Sequence, residues 1–73
     1  LLKPKEFALL FLLAENRGRA IPARELYAKV WGMNAVGDAR TVKEHISRIR
    51  RRLGRESGLS IVSERGRGYR LND

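Results

Sequence analysis

Residues 39–54 read ARTVKEHISRIRRRLG, and the phase of this stretch decides the fold. Val42, Ile46, Ile49 and Leu53 recur at the three- and four-residue spacing of one helix face. At roughly 100° per residue, Arg40, Lys43, Glu44, Ser47, Arg48 and Arg51 point the other way. Arg50 and Arg52 flank the apolar stripe. The spacing predicts a helix from about Ala39 to Leu53, capped by Asp38 and ended by Gly54. One narrow edge packs on a core, and the outer side is polar, basic and rich in donors.

The charge of the chain gathers around that helix. Among 73 residues there are 16 Lys and Arg against 8 Asp and Glu, a net charge of +8. Residues 40–70 hold ten cations and three carboxylates, whereas residues 1–39 hold six and four. Twelve of the 16 cations are Arg, whose planar fork suits phosphates and guanine edges. A basic half beside a near-neutral half implies a binding face on a scaffold, with nucleic acid as the partner. Acidic protein, anionic membrane and plain solvated charge are the competing readings of the same numbers. Hydrophobic residues make up 42% of the chain, enough for one small core, and there is no cysteine. Those facts argue against a self-contained enzyme, a zinc finger and a secreted disulfide module.

Toward the N-terminus, FALLFLLA (residues 7–14) is the longest apolar run. Eight residues are far short of the ~20 that span a bilayer. Glu6 before the run and Glu15-Asn16-Arg17 after it do not suit a signal peptide. A buried helix from about Pro4 to Asn16, closed by Gly18, fits better. Phe7, Leu10, Phe11 and Ala14 form one stripe, and Leu9, Leu12 and Leu13 lie opposite. A helix apolar all round needs cover all round. The Leu9, Leu12 and Leu13 side is expected to be the uncovered one, and residues 1–73 to be an N-terminally truncated domain. A second helix is expected from about Pro22 to Trp31, with Ala23, Leu26, Tyr27, Val30 and Trp31 on its stripe and Gly32 as its stop.

Toward the C-terminus, Ile61-Val62-Ser63-Glu64 and Tyr69-Arg70-Leu71 predict two strands. Arg65-Gly66-Arg67-Gly68 between them is a turn whose glycines allow positive φ. Gly66-x-Gly68 lacks the strand–helix setting of a phosphate loop. The expected fold is mostly α with a C-terminal β-hairpin: three helices plus a basic-tipped wing, the order of a winged helix-turn-helix. An α-helix fits the major groove, and an Arg on a hairpin tip fits the narrower minor groove.

The motifs resemble the OmpR/PhoB class of bacterial response-regulator effector domains, from Leu2 to Leu71. The family's L-T-x-K-E-F-x-L-L pattern stands here as Leu2 to Leu10. Val30-Trp31-Gly32 matches the close of its second helix. Arg40 to Arg50 matches R-T-V-x-x-H-I-x-x-[LI]-R, and Arg65 to Leu71 matches R-G-x-G-Y-R-[LF]. Lys3 replaces the family's usual Thr, and Pro22 replaces a capping Ser. Ser63-Glu64 replaces Thr-Val, which brings a carboxylate near the DNA backbone unless Arg67 or Arg70 pairs with it. The family's N-terminal sheet and the receiver domain are missing from the 73 residues.

The resemblance implies specific roles. Lys43, Glu44, Ser47 and Arg48 would face the bases, with Arg48 on guanine and Glu44 accepting from a cytosine amino group. Trp31, Arg40, Thr41, His45, Arg50 and Ser63 would hold phosphates, while Tyr69 would donate to one or simply pack. Arg65 would enter the minor groove, with Arg67 beside it on the wing tip. The Gly32–Ala39 loop would touch RNA polymerase. The family further implies a cytoplasmic transcription regulator in a two-component phosphorelay, with a receiver domain in the full-length chain. It also implies tandem dimers on direct repeats of double-stranded DNA.

Blander roles stand beside these. Trp31 also suits core packing, and at least one of Arg50, Arg51 and Arg52 is expected to be solvated or paired with Glu56. His45 is the only histidine and has no convincing second metal ligand, so neither a metal nor another cofactor is expected. No nucleophile–base pair or carboxylate dyad suggests catalysis. Two functions besides sequence-specific DNA binding remain open. One is a winged helix used for protein–protein interaction. The other is an RNA-binding or structural module, for which only Trp31 and Tyr69 offer stacking faces.

Overall fold

The computed structural model describes residues 2–32 and 39–72. Three helices are followed by two strands: α1 Pro4–Glu15, α2 Ala23–Trp31, α3 Ala39–Leu53, β1 Ser60–Glu64 and β2 Gly68–Asn72. The predicted elements are all present, with ends displaced by about a residue, as helix and strand ends commonly are. α1 stops at Glu15 with Asn16 as its C-cap, and Pro22 sits at the N-cap of α2. Asp38, expected to cap α3, and most of the expected polymerase loop (residues 33–38) lie outside the described residues.

The narrow stripe of α3 behaves as its spacing predicts. Val42, Ile46 and Ile49 are buried, and Leu53 packs at the margin. They meet Leu9 and Leu13 from α1, Leu26 from α2, Ile21 from the α1–α2 connection, and Ile61 and Leu71 from the hairpin. Each fully buried aliphatic side chain contributes about 1.5–3 kcal/mol, so this one cluster carries most of the apolar stabilisation.

The expected rotation of α1 is reversed. Leu9 and Leu13 are fully buried, whereas Phe7 and Phe11 are 59% and 54% exposed. Their rings stack on the outer surface with centroids 6.1 Å apart. Leu12, expected on the uncovered side, is only half-buried and packs against the core. In a helix apolar all round, periodicity gives an axis but no phase. Glu6 supplies the phase: it is i−3 and i−7 to Leu9 and Leu13 and is itself only 1% exposed. Its Oε1 accepts from Arg52 Nε of α3 at 3.1 Å and from the Lys3 backbone N–H at 3.1 Å. The Glu6 side of α1 is thus the inner side.

The hairpin is antiparallel, with Ile61 opposite Leu71 and Ser63 opposite Tyr69. Its root is tied to the α1–α2 connection. The Ile21 N–H donates to the Tyr69 carbonyl at 2.8 Å, and the Tyr69 N–H to the Ile21 carbonyl at 3.0 Å. This close approach requires Gly68, where φ is +116° and a Cβ would overlap the Ile21 carbonyl. Gly68 is therefore a packing position as well as a turn residue.

Candidate nucleic-acid interface

With Val42, Ile46 and Ile49 turned inward, the outer side of α3 is left uncovered. Arg40, Lys43, Glu44, Ser47, Arg48 and Arg51 are all exposed. Donors, the Glu44 carboxylate and the Ser47 hydroxyl therefore line a helix surface of the width that a major groove admits.

The two flanks of α3 are built differently. On the flank toward α2, His45 is half-buried and its Nδ1–H donates to the Thr41 carbonyl at 2.9 Å. The ring stands edge-on to Trp31, with centroids 4.9 Å apart. Trp31 stacks on Tyr27 at 5.0 Å and lies beneath the Lys5 ammonium, 5.8 Å from the ring centroid. Trp31 is therefore a half-buried packing residue at the edge of the surface. With Nδ1–H engaged, His45 can donate to a phosphate only through a protonated Nε2.

On the other flank, Arg50 braces the wing. Its Nε and Nη2 donate to the Ile61 carbonyl at 3.0 and 2.8 Å, and Nη2 also donates to Ser63 Oγ at 3.0 Å. Two side chains expected to hold phosphates are thus already bonded to each other. Both remain exposed, and the Ser63 hydroxyl keeps its own proton to donate. Glu64, the carboxylate out of place beside a DNA backbone, is paired with Arg70 on the facing strand.

Beyond Ser63 the chain runs out to Arg65 and Arg67, both exposed at the tip, where the Arg67 N–H donates back to the Glu64 carbonyl at 2.9 Å. Ser63, Arg65 and the half-buried Tyr69 line one open concavity together with Pro22 and Ala23. No side chain caps the N-terminus of α2, and its first residues line the same hollow as the wing. Sequence reasoning missed this conjunction, for which Pro22 in a capping position was the available signal.

Glu6 was also missed as a partner of the basic helix. The Lys3 N–H holds its carboxyl below the ordinary value of 4.5, and Arg52, Lys3 and Arg48 add to this against the opposing effect of burial. Placed inside the core margin, one carboxylate anchors the back of a cationic surface.

Similarity to known proteins agrees with this geometry. The profile of the family described as "Transcriptional regulatory protein, C terminal" matches residues 1–71. The chain belongs to this family. It is a family of transcription regulators and not an enzyme class. Heme response regulator HssR of Staphylococcus epidermidis is 46% identical over 69 residues, which cover 93% of this chain and 31% of that protein. HssR of Staphylococcus aureus is 40% identical over 70 residues, again 31% of its length. The chain thus spans about a third of the curated relatives it matches. Among solved structures, the DNA-binding domain of Bacillus subtilis CssR matches with a TM-score of 0.86 and 32% identity, covering 99% of this chain and 78% of that one. The transcriptional-regulator domain described here shares its winged-helix fold. No helix among its described residues is long and apolar enough to cross a membrane.

Proposed function

We propose that this chain is the sequence-specific, double-stranded DNA-binding output domain of a two-component response regulator that controls transcription. The observation that carries this is the exposed basic side of α3, held outward by the buried Val42, Ile46 and Ile49 edge. Arg48 reads guanine, with Lys43, Glu44 and Ser47 on neighbouring base edges. Arg40, Thr41, His45 and Trp31 engage phosphates on the α2 flank, and Arg50, Ser63 and Tyr69 do so on the wing flank. Arg65, with Arg67 beside it, enters the minor groove, where the potential is more negative. Family membership and the likeness to HssR and CssR support this assignment. In the full-length cytoplasmic protein, a receiver domain drives tandem dimers onto direct repeats, and the Gly32–Ala39 loop meets RNA polymerase. The chain uses no cofactor and catalyses no reaction.

Arg48→Ala tests the base-reading role. On a site selected from random duplexes it should cost about 1–3 kcal/mol of discrimination, with much less loss on unrelated DNA. Equal losses on both would remove Arg48 from base reading.

The second function, a protein-interaction module, is favoured by one observation, the exposed Phe7–Phe11 stack. That pair lies on the side of α1 turned away from the core, so a protein bound there leaves the outer side of α3 open. A gel shift on random duplex at low salt separates the two, because a module that meets only protein gives none.

A further inference from the structure

Thr41, His45, Arg48 and Arg52 follow the i, i+4, i+7, i+11 spacing of one helix flank. The first two lie near α2, where His45 touches Trp31. The last two lie near the start of α1, where Arg52 holds Glu6. Between them the flank extends about 16 Å at 1.5 Å per residue. Its far end is an open concavity lined by Lys3, Arg48, Arg51 and Arg52. Four cations from two elements meet there over a single buried carboxylate. That carboxylate already accepts from Arg52 and from the Lys3 N–H, so among the described lining residues the cations outnumber the carboxylate by three. No DNA contact assigned above uses Lys3, Arg51 or Arg52.

We propose that this concavity is a separate phosphate-binding site, which takes a backbone phosphate of the same duplex that α3 reads. Opposite the wing, it extends the protein's grip along the α1–α2 flank toward the C-terminal end of α3. A compact phosphate with three outer oxygens suits it, because the cations converge from both walls and guanidinium groups offer paired N–H donors. Glu6 does not oppose the ligand on balance, since its Oε1 is engaged twice. Its remaining Oε2 is buried and makes no hydrogen bond among the described residues. Arg48 stands at the lip shared by this hollow and the base-facing side.

This inference rests on the DNA-binding function proposed above, and salt titration separates the two. Counterion release gives a slope of about −0.9 in log K against log salt for each phosphate neutralised. The variant Lys3→Ala/Arg51→Ala removes two exposed side chains and leaves the Glu6–Arg52 pair intact. Its slope should be shallower than wild type by about one phosphate. Between 50 and 200 mM salt, wild type should then lose about threefold more affinity than the variant, equally on selected and random duplexes. A duplex carrying a neutral methylphosphonate at the contacted position should weaken wild type and leave the double variant unchanged. If wild type binds duplex and the variant keeps the wild-type slope, the concavity holds no phosphate and the proposal falls while DNA binding stands. If wild type itself binds no duplex, DNA binding falls with it. Thermal melts of both proteins should coincide, which separates a lost contact from a lost fold.

Discussion

α1 and α3 place their charges in opposite ways. α1, with apolar residues on every side, buries its one inward carboxylate, Glu6, and exposes an aromatic pair. α3 confines its apolar residues to one edge and exposes cations over the rest. The two meet where Arg52 reaches Glu6. A buried charge paired with a neighbouring helix favours one rotation, because the alternative would break that pair. The exposed cations of α3 divide: Arg50 and Arg52 hold the wing and α1, whereas Lys43 and Arg48 stay exposed on the outer side. α1 is thus the platform and α3 the working surface.

The contrast is broken most directly through the core of α1. Leu9→Ala should destabilise the domain by about 2–5 kcal/mol, read as a lower midpoint in denaturant. Phe11→Ala should cost far less, under about 1 kcal/mol, and leave duplex affinity unchanged. A larger effect from Phe11 would restore the rotation that the structure rejects.

A smaller effect is expected at Glu6 and has a sign that pH reveals. Its pKa is lowered on folding, so its stabilisation is present above the ordinary value of 4.5 and is lost as pH falls toward the folded value. Wild-type stability should therefore decline on acidification through that range. Glu6→Gln should be less stable at neutral pH, and the gap to wild type should close in acid. An unchanged gap at every pH would mean that the carboxylate charge does not hold the two helices together.

The same contrast explains what could be read without coordinates. The stripe of α3 was legible because it is narrow: four apolar residues among cations leave only one rotation that buries them. The hairpin was legible because Gly66 and Gly68 punctuate two β-rich runs. The rotation of α1 was hidden, since Phe7/Phe11 and Leu9/Leu13 satisfy the same period. The deciding residue was Glu6, whose position in the first turn suited the helix dipole and so masked its role as a buried partner. The brace from Arg50 to Ile61 and Ser63 was hidden for a related reason. It joins residues 11 to 13 positions apart through a backbone carbonyl and a hydroxyl, groups that leave no charge pattern in a sequence. Within the proposed interface, types and faces could be read from spacing, whereas partners could not.

The stitch between Ile21 and Tyr69 has a mechanical meaning. Because both amides of that bridge are used and Gly68 leaves no slack beside it, the wing and the segment feeding α2 move as one lever. The tip cannot adjust its height over a groove independently of the helix behind it. In the proposed complex, accommodation to a wider or narrower groove falls to the extension of Arg65 and Arg67, or to deformation of the DNA.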